Sequence, residues 1–123
     1  MTIVPATVMN ELNALASESG DLAGKLHKLQ RAFEPIEEEH DNFVSDFVTG
    51  LWAQHCDGKA KWPGEEVRLM LARQAMPPDL YGRYTAHKKS IDRIRTRMRS
   101  LRLEADARRS ILSALKEEMQ AAR

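Results

Sequence analysis

The sequence predicts an all-α fold: an antiparallel helical hairpin, coiled-coil-like, in which two long helices are joined by an elbow carrying a short helix. Two segments of about 40 residues each repeat apolar residues at alternating steps of four and three, the mark of a heptad seam. A stretch rich in Trp, Pro and Gly separates them. Composition agrees, because 30% of the 123 residues are charged and only 6% are aromatic. Most side chains must therefore stay in water, and few bulky rings are left to line a substrate pocket.

The first long helix is expected over about 7–47. Its seam reads Val8, Leu12, Leu15, Leu22, Leu26, Leu29, Phe33, Ile36, Phe43 and Phe47, with Ser19 and His40 in the gaps. Gly20 and Gly24 each cost about 1 kcal/mol relative to Ala, and Pro35 removes a backbone donor, so a kink is expected near Pro35. Residues 48–79 read as the elbow. Gly58, Trp62, Pro63 and Gly64 mark a turn, and Pro63 is placed to open a short helix over 64–75 with Glu65 and Glu66 in its first turn. Pro77 and Pro78 close that helix, since proline disfavours helical geometry in the residue before it. Trp52 and Trp62 are expected to pack the short helix onto the hairpin tip. The second long helix is expected over 79–122. Its seam runs Leu80, Tyr84, Ile91, Ile94, Met98, Leu101, Ala105, Leu112, Leu115, Met119 and Ala122, interrupted by His87 and Arg108. The chain reads as one helical domain, 1–123.

In an antiparallel pair the numbers of facing residues add to a constant that changes only by sevens, here near 120, 127 or 134. At 127, Ser19 faces Arg108 and His40 faces His87, so the polar seam residues meet one another. At 120 or 134 each would bury against a hydrophobe, at about 1 to 3 kcal/mol for an unpartnered polar group. The expected register is therefore 127, with a His40 and His87 layer that loses stability as the pH falls. The same seams could instead pair between chains.

Up to Asp57 the chain has three basic and ten acidic residues, and from Gly58 onward sixteen basic and eight acidic. The near-zero total of +1 thus conceals two halves of opposite sign. In the 127 register Arg95, Arg97, Arg99 and Arg102 lie alongside Lys25, Lys28 and Arg31, where like charge meets like charge and an anion is needed to relieve it. Lys88, Arg95, Arg102, Arg109, Lys116 and Arg123 recur every seven residues as a cationic stripe. Lys25, Lys28, Arg31, Arg95, Arg97, Arg99, Arg102 and Arg109 are accordingly the candidate nucleic-acid-binding residues, through phosphate contacts. Tyr81 is placed to stack a base.

Other chemistry finds little support. His40 and His87 offer two possible metal ligands without a third or fourth. His55, Cys56 and Asp57 are adjacent, and neighbours on a helix rarely aim at one another. The run Glu37, Glu38, Glu39 reads as a solvated face, and no phosphate-cradling Gly loop occurs. No catalytic residue, metal site or cofactor is expected, and the protein is not read as an enzyme. One Cys excludes an intrachain disulfide framework. No apolar run reaches the roughly 20 residues of a bilayer span, and Met1 to Asn10 lacks the features of a signal peptide. A cytoplasmic protein without membrane partners is expected.

The layout, a helical first half, a central Gly58-Lys59, a short helix with Arg68 and Arg73, and a long last helix ending in Ser110-Ile-Leu-Ser-Ala-Leu-Lys-Glu-Glu-Met119, resembles small coiled-coil phage recombination and replication accessory proteins of the recombination-mediator type. That resemblance implies single-stranded DNA binding, a recombinase or other replication protein as partner, and homo-oligomerisation. The expected function is thus a non-enzymatic, nucleic-acid-binding accessory protein. The alternative is a protein-interaction module, such as a phage inhibitor or assembly scaffold, whose basic stripe binds an acidic protein.

Overall fold

The computed structural model describes residues 4–55 and 61–122. They form three helices and no strand: α1 (Pro5–His55), α2 (Glu65–Ala75) and α3 (Pro78–Ala121). The long helices α1 and α3 pack against each other as an all-α hairpin.

The seam residues face inward on both long helices because their spacing of three and four keeps them on one side of a helix with 3.6 residues per turn. Val8, Phe33, Leu80, Tyr84, Ile91 and Leu101 are buried, and Leu12, Leu15, Leu22, Leu26, Leu29, Ile94 and Met98 are half-buried between them. Helix α1 runs unbroken through Pro35, which lies exposed. It also continues eight residues past the expected end at 47. Val48 and Leu51 stay half-buried, and Thr49 and His55 donate hydrogen bonds to the carbonyls of Ser45 (2.9 Å) and Leu51 (2.8 Å).

Helix α2 starts one residue after Gly64, whose extended backbone places its carbonyl to accept from the Arg68 N–H at 3.0 Å. It ends at Met76, which takes the extended geometry imposed by Pro77. Met76 is buried, as is Ala72. Trp62 holds this corner together. Its ring lies edge-on to Trp52 (centroids 4.9 Å apart, 89°) and near His55 (5.8 Å), while the Arg68 guanidinium sits 5.1 Å over it. These contacts join α2 to the end of α1 through the two tryptophans, as their positions in the sequence suggest. Cys56, Asp57, Gly58, Lys59 and Arg123, which entered the sequence reading, lie outside the described residues.

Packing divides the chain into two compact units. Unit 1 combines Met1–Lys28 with Ile91–Arg123, and unit 2 is Leu29–Ser90. In unit 2, Phe33 packs on Tyr84 (5.4 Å) and His87 (6.4 Å), His40 stacks on Tyr84 (3.7 Å, 6°), and Glu39 pairs with Arg83 (3.6 Å). In unit 1, Glu18 binds Arg97 (2.9 Å) and Glu11 binds Arg108 (2.8 Å). In each unit the facing numbers gather near 120, which overturns the expected register of 127 and with it the His40 and His87 layer.

The penalty that argued for 127 does not arise. Arg108 turns its guanidinium out to Glu11 and the Glu104 carbonyl (3.3 Å), and Ser19 and His87 are only half-buried. Of the four polar seam residues only His40 is buried, and there it stacks on Tyr84. A seam between just two helices is open along its sides, so long polar side chains leave it cheaply, and three interhelical ion pairs accompany the shorter register.

Candidate binding groove

The new register rearranges the charges. In unit 1, Arg97 points to Glu18, donating from Nε to Oε1 at 2.9 Å and from Nη2 to Oε2 at 3.2 Å, with Glu104 at 3.9 Å. The hydrogen bond to Glu18, reinforced by that carboxylate's charge, raises the Arg97 pKa above its ordinary value. The expected overlap of the arginines with Lys28 and Arg31 is thereby lost: residues 95–102 align with residues near 18–25, and of the three α1 cations Lys25 alone stays opposite them, facing Arg95. Lys25 and Lys28 are exposed on α1 in unit 1, and Arg31 is exposed in unit 2.

The remaining arginines converge. Arg95, Arg99, Arg102 and Arg109 from α3 line one open groove of about 560 Å³ in unit 1. Leu12, Leu15, Ala16, Ser19 and Leu26 of α1 and Met98, Leu101 and Ala105 of α3 complete its lining. From Arg95 to Arg109 it follows α3 for about 21 Å, at roughly 1.5 Å per residue. Among its lining residues there is neither a carboxylate nor an aromatic ring. Arg109 donates to Asp106 at 2.9 Å, whereas no carboxylate among the described residues pairs with Arg95, Arg99 or Arg102.

This arrangement is half-finished as a core. Only Val8, Ile91 and Leu101 are buried among the described residues of unit 1, while Leu12, Leu15 and Leu26 of the groove keep part of their surface in water. Apolar surface left wet forfeits about 25 cal/mol per Å². Neighbouring cations at Arg95 and Arg99, and at Arg99 and Arg102, repel by a few tenths of a kcal/mol per pair. A ligand that is apolar on one side and anionic at its flank relieves both. Sequence reasoning found Arg95, Arg99, Arg102 and Arg109 but missed their leucine floor, because which seam residues stay open depends on the register.

Tyr81 is exposed in unit 2, where it lines a second hollow with Glu66, Leu69, Met70, Arg73 and Gln74. His87 donates to its own helix, its Nδ1 lying 3.1 Å from the Arg83 carbonyl. No group of three or more His, Cys, Asp and Glu gathers among the described residues, and none of the described helices is long and apolar enough to cross a membrane. No protein-family model, characterised protein or solved structure matches the chain.

Proposed function

We propose that this chain is a non-enzymatic interaction module that captures an acidic protein partner in the arginine-rimmed groove of unit 1. One observation carries the reading: Arg95, Arg99, Arg102 and Arg109 edge a leucine-rich floor with no acidic residue in the lining. Cations along an apolar channel select a ligand that combines carboxylates with apolar side chains. Phosphodiester backbone satisfies the arginines alone and leaves the leucines uncovered.

Single-stranded nucleic acid, the leading expectation from sequence, is the second reading. It is favoured by the three arginines that lack a carboxylate partner, and it is disfavoured by the absence of an aromatic platform on which bases stack. The two readings separate in one titration, using a labelled random-order Glu/Leu polypeptide and a labelled single-stranded oligonucleotide. The polypeptide is expected to bind more tightly at about 150 mM salt, and Arg95→Gln with Arg102→Gln is expected to abolish that preference. Tighter oligonucleotide binding, with log affinity falling by about 2.8 per log unit of salt as four phosphate contacts require, moves the function to nucleic acid.

A further inference from the structure

We infer that the groove's occupant is a single amphipathic α-helix from a different protein, carrying acidic residues at heptad spacing beside its apolar stripe. This rests on the reading of the groove as a site for an acidic protein and specifies the shape of that protein's segment.

The argument is one of spacing. Arg95, Arg102 and Arg109 stand seven residues apart on α3, next to the seam residues Ile94, Leu101 and Arg108, and all three line the groove. Seven residues of helix advance about 10.5 Å. Only a ligand whose charges repeat at that interval meets all three, and a helix with acids every seventh residue does so with its apolar face turned to the leucine floor. This is the pairing used at the flanks of coiled-coil seams and by helices that lie in grooves. The α1 edge leaves room for it: Ala16 lines the groove, and a Cβ built on Gly20 meets nothing within 4 Å.

A second copy of this chain fits poorly. Its own acids at heptad spacing are Glu11 with Glu18, Glu34 with Asp41 and Glu39 with Asp46; the first pair is already engaged by Arg108 and Arg97, and the other two belong to the stretch of α1 whose apolar stripe already packs on α3 through Phe33 and His40. Glu39 is also engaged by Arg83. Pairing α3 with another α3 sets arginine against arginine.

The test uses the intact protein and two labelled 21-residue peptides of identical composition, both helical and amphipathic with Leu on one face. In the first, Glu flanks the Leu stripe every seventh position, and in the second the same Glu residues lie on the opposite face. The first is expected to bind about tenfold more tightly at about 150 mM salt. Arg95→Gln with Arg102→Gln should remove that tenfold difference, while Arg93→Gln, outside the groove, should leave it intact. Circular dichroism confirms that each variant stays helical. Equal binding of the two peptides, both tighter than the oligonucleotide, overturns the helical occupant but leaves the acidic-protein reading standing. Binding of neither peptide, with or without oligonucleotide binding, overturns both. Self-association that competes with the first peptide, seen by sedimentation, makes the occupant a second copy and also overturns the inference.

Discussion

His40 is 3% exposed, and its ring lies nearly parallel to that of Tyr84 at 3.7 Å. Its Nδ1 donates to the Asp41 carboxylate at 2.9 Å, and Nε2 is enclosed and without a partner. An orphaned buried polar atom costs about 1 to 3 kcal/mol, whereas an aromatic stack contributes about 0.5 to 1.5 kcal/mol. The seam therefore uses the ring's shape more than its polarity. His40→Phe is expected to be neutral or to stabilise by up to about 1 kcal/mol, and His40→Ala to cost about 2 to 3 kcal/mol through the cavity it leaves, both read from urea denaturation. If Phe proves as costly as Ala, Nε2 has a function that the stack does not reveal. Seam membership of His40 was legible in the heptads. Its partner was not, because the residue opposite is decided by the register between two helices and by nothing local.

At the scale of the element, helix type and most boundaries followed from the chain. Helices α2 and α3 begin and end within one residue of where Gly64, Pro77 and the last heptad place them. The end of α1 did not follow, since Val48 and Leu51 extend the buried face beyond Phe47 and Gly50 is merely weak inside a helix, not a stop. The same helix carries avoidable costs. A Cβ at Gly20 or Gly24 meets no atom within 4 Å, so Gly20→Ala with Gly24→Ala should stabilise by about 2 kcal/mol, partly by restricting the unfolded chain. Pro35→Ala restores the hydrogen bond to the Arg31 carbonyl and should add up to about 3 kcal/mol. Each change should raise the melting temperature by several degrees. A fall after Pro35→Ala would mean that α1 relies on the bend or stiffness of proline to keep Phe33 and Ile36 on the seam.

At the scale of the whole molecule, the sequence showed that two seams pair and that arginines recur along one flank, but it misjudged the alignment. The rule that polar seam residues should face each other assumes a sealed interior. Two helices do not seal one, so Arg108 reaches Glu11 and the alignment is set by Glu18 with Arg97, Glu39 with Arg83 and the packing of Phe33 on Tyr84 and His87. That shift of one heptad took Arg97 out of the expected cation cluster and gathered Arg95, Arg99, Arg102 and Arg109 over leucines.

Cysteine pairs within unit 1 distinguish the registers directly. Leu15 and Ala105 both line the groove and face each other when the numbers add to 120, whereas Leu22 and Ala105 face each other only at 127. The two alignments differ by seven residues of helix, about 10.5 Å, and a disulfide cannot form when its Cα atoms are more than about 7 Å apart. In a Cys56→Ser background at micromolar concentration, Leu15→Cys with Ala105→Cys is therefore expected to oxidise within one chain, visible as a faster-migrating band without reductant. Leu22→Cys with Ala105→Cys is expected to stay reduced under the same conditions. Crosslinking of the second pair alone would restore the 127 register and dissolve the groove, because Arg95 to Arg102 would then lie beside Lys25 to Arg31. Crosslinks of the first pair found only between chains would mean that the seams zip intermolecularly, with the arginine groove built from two copies.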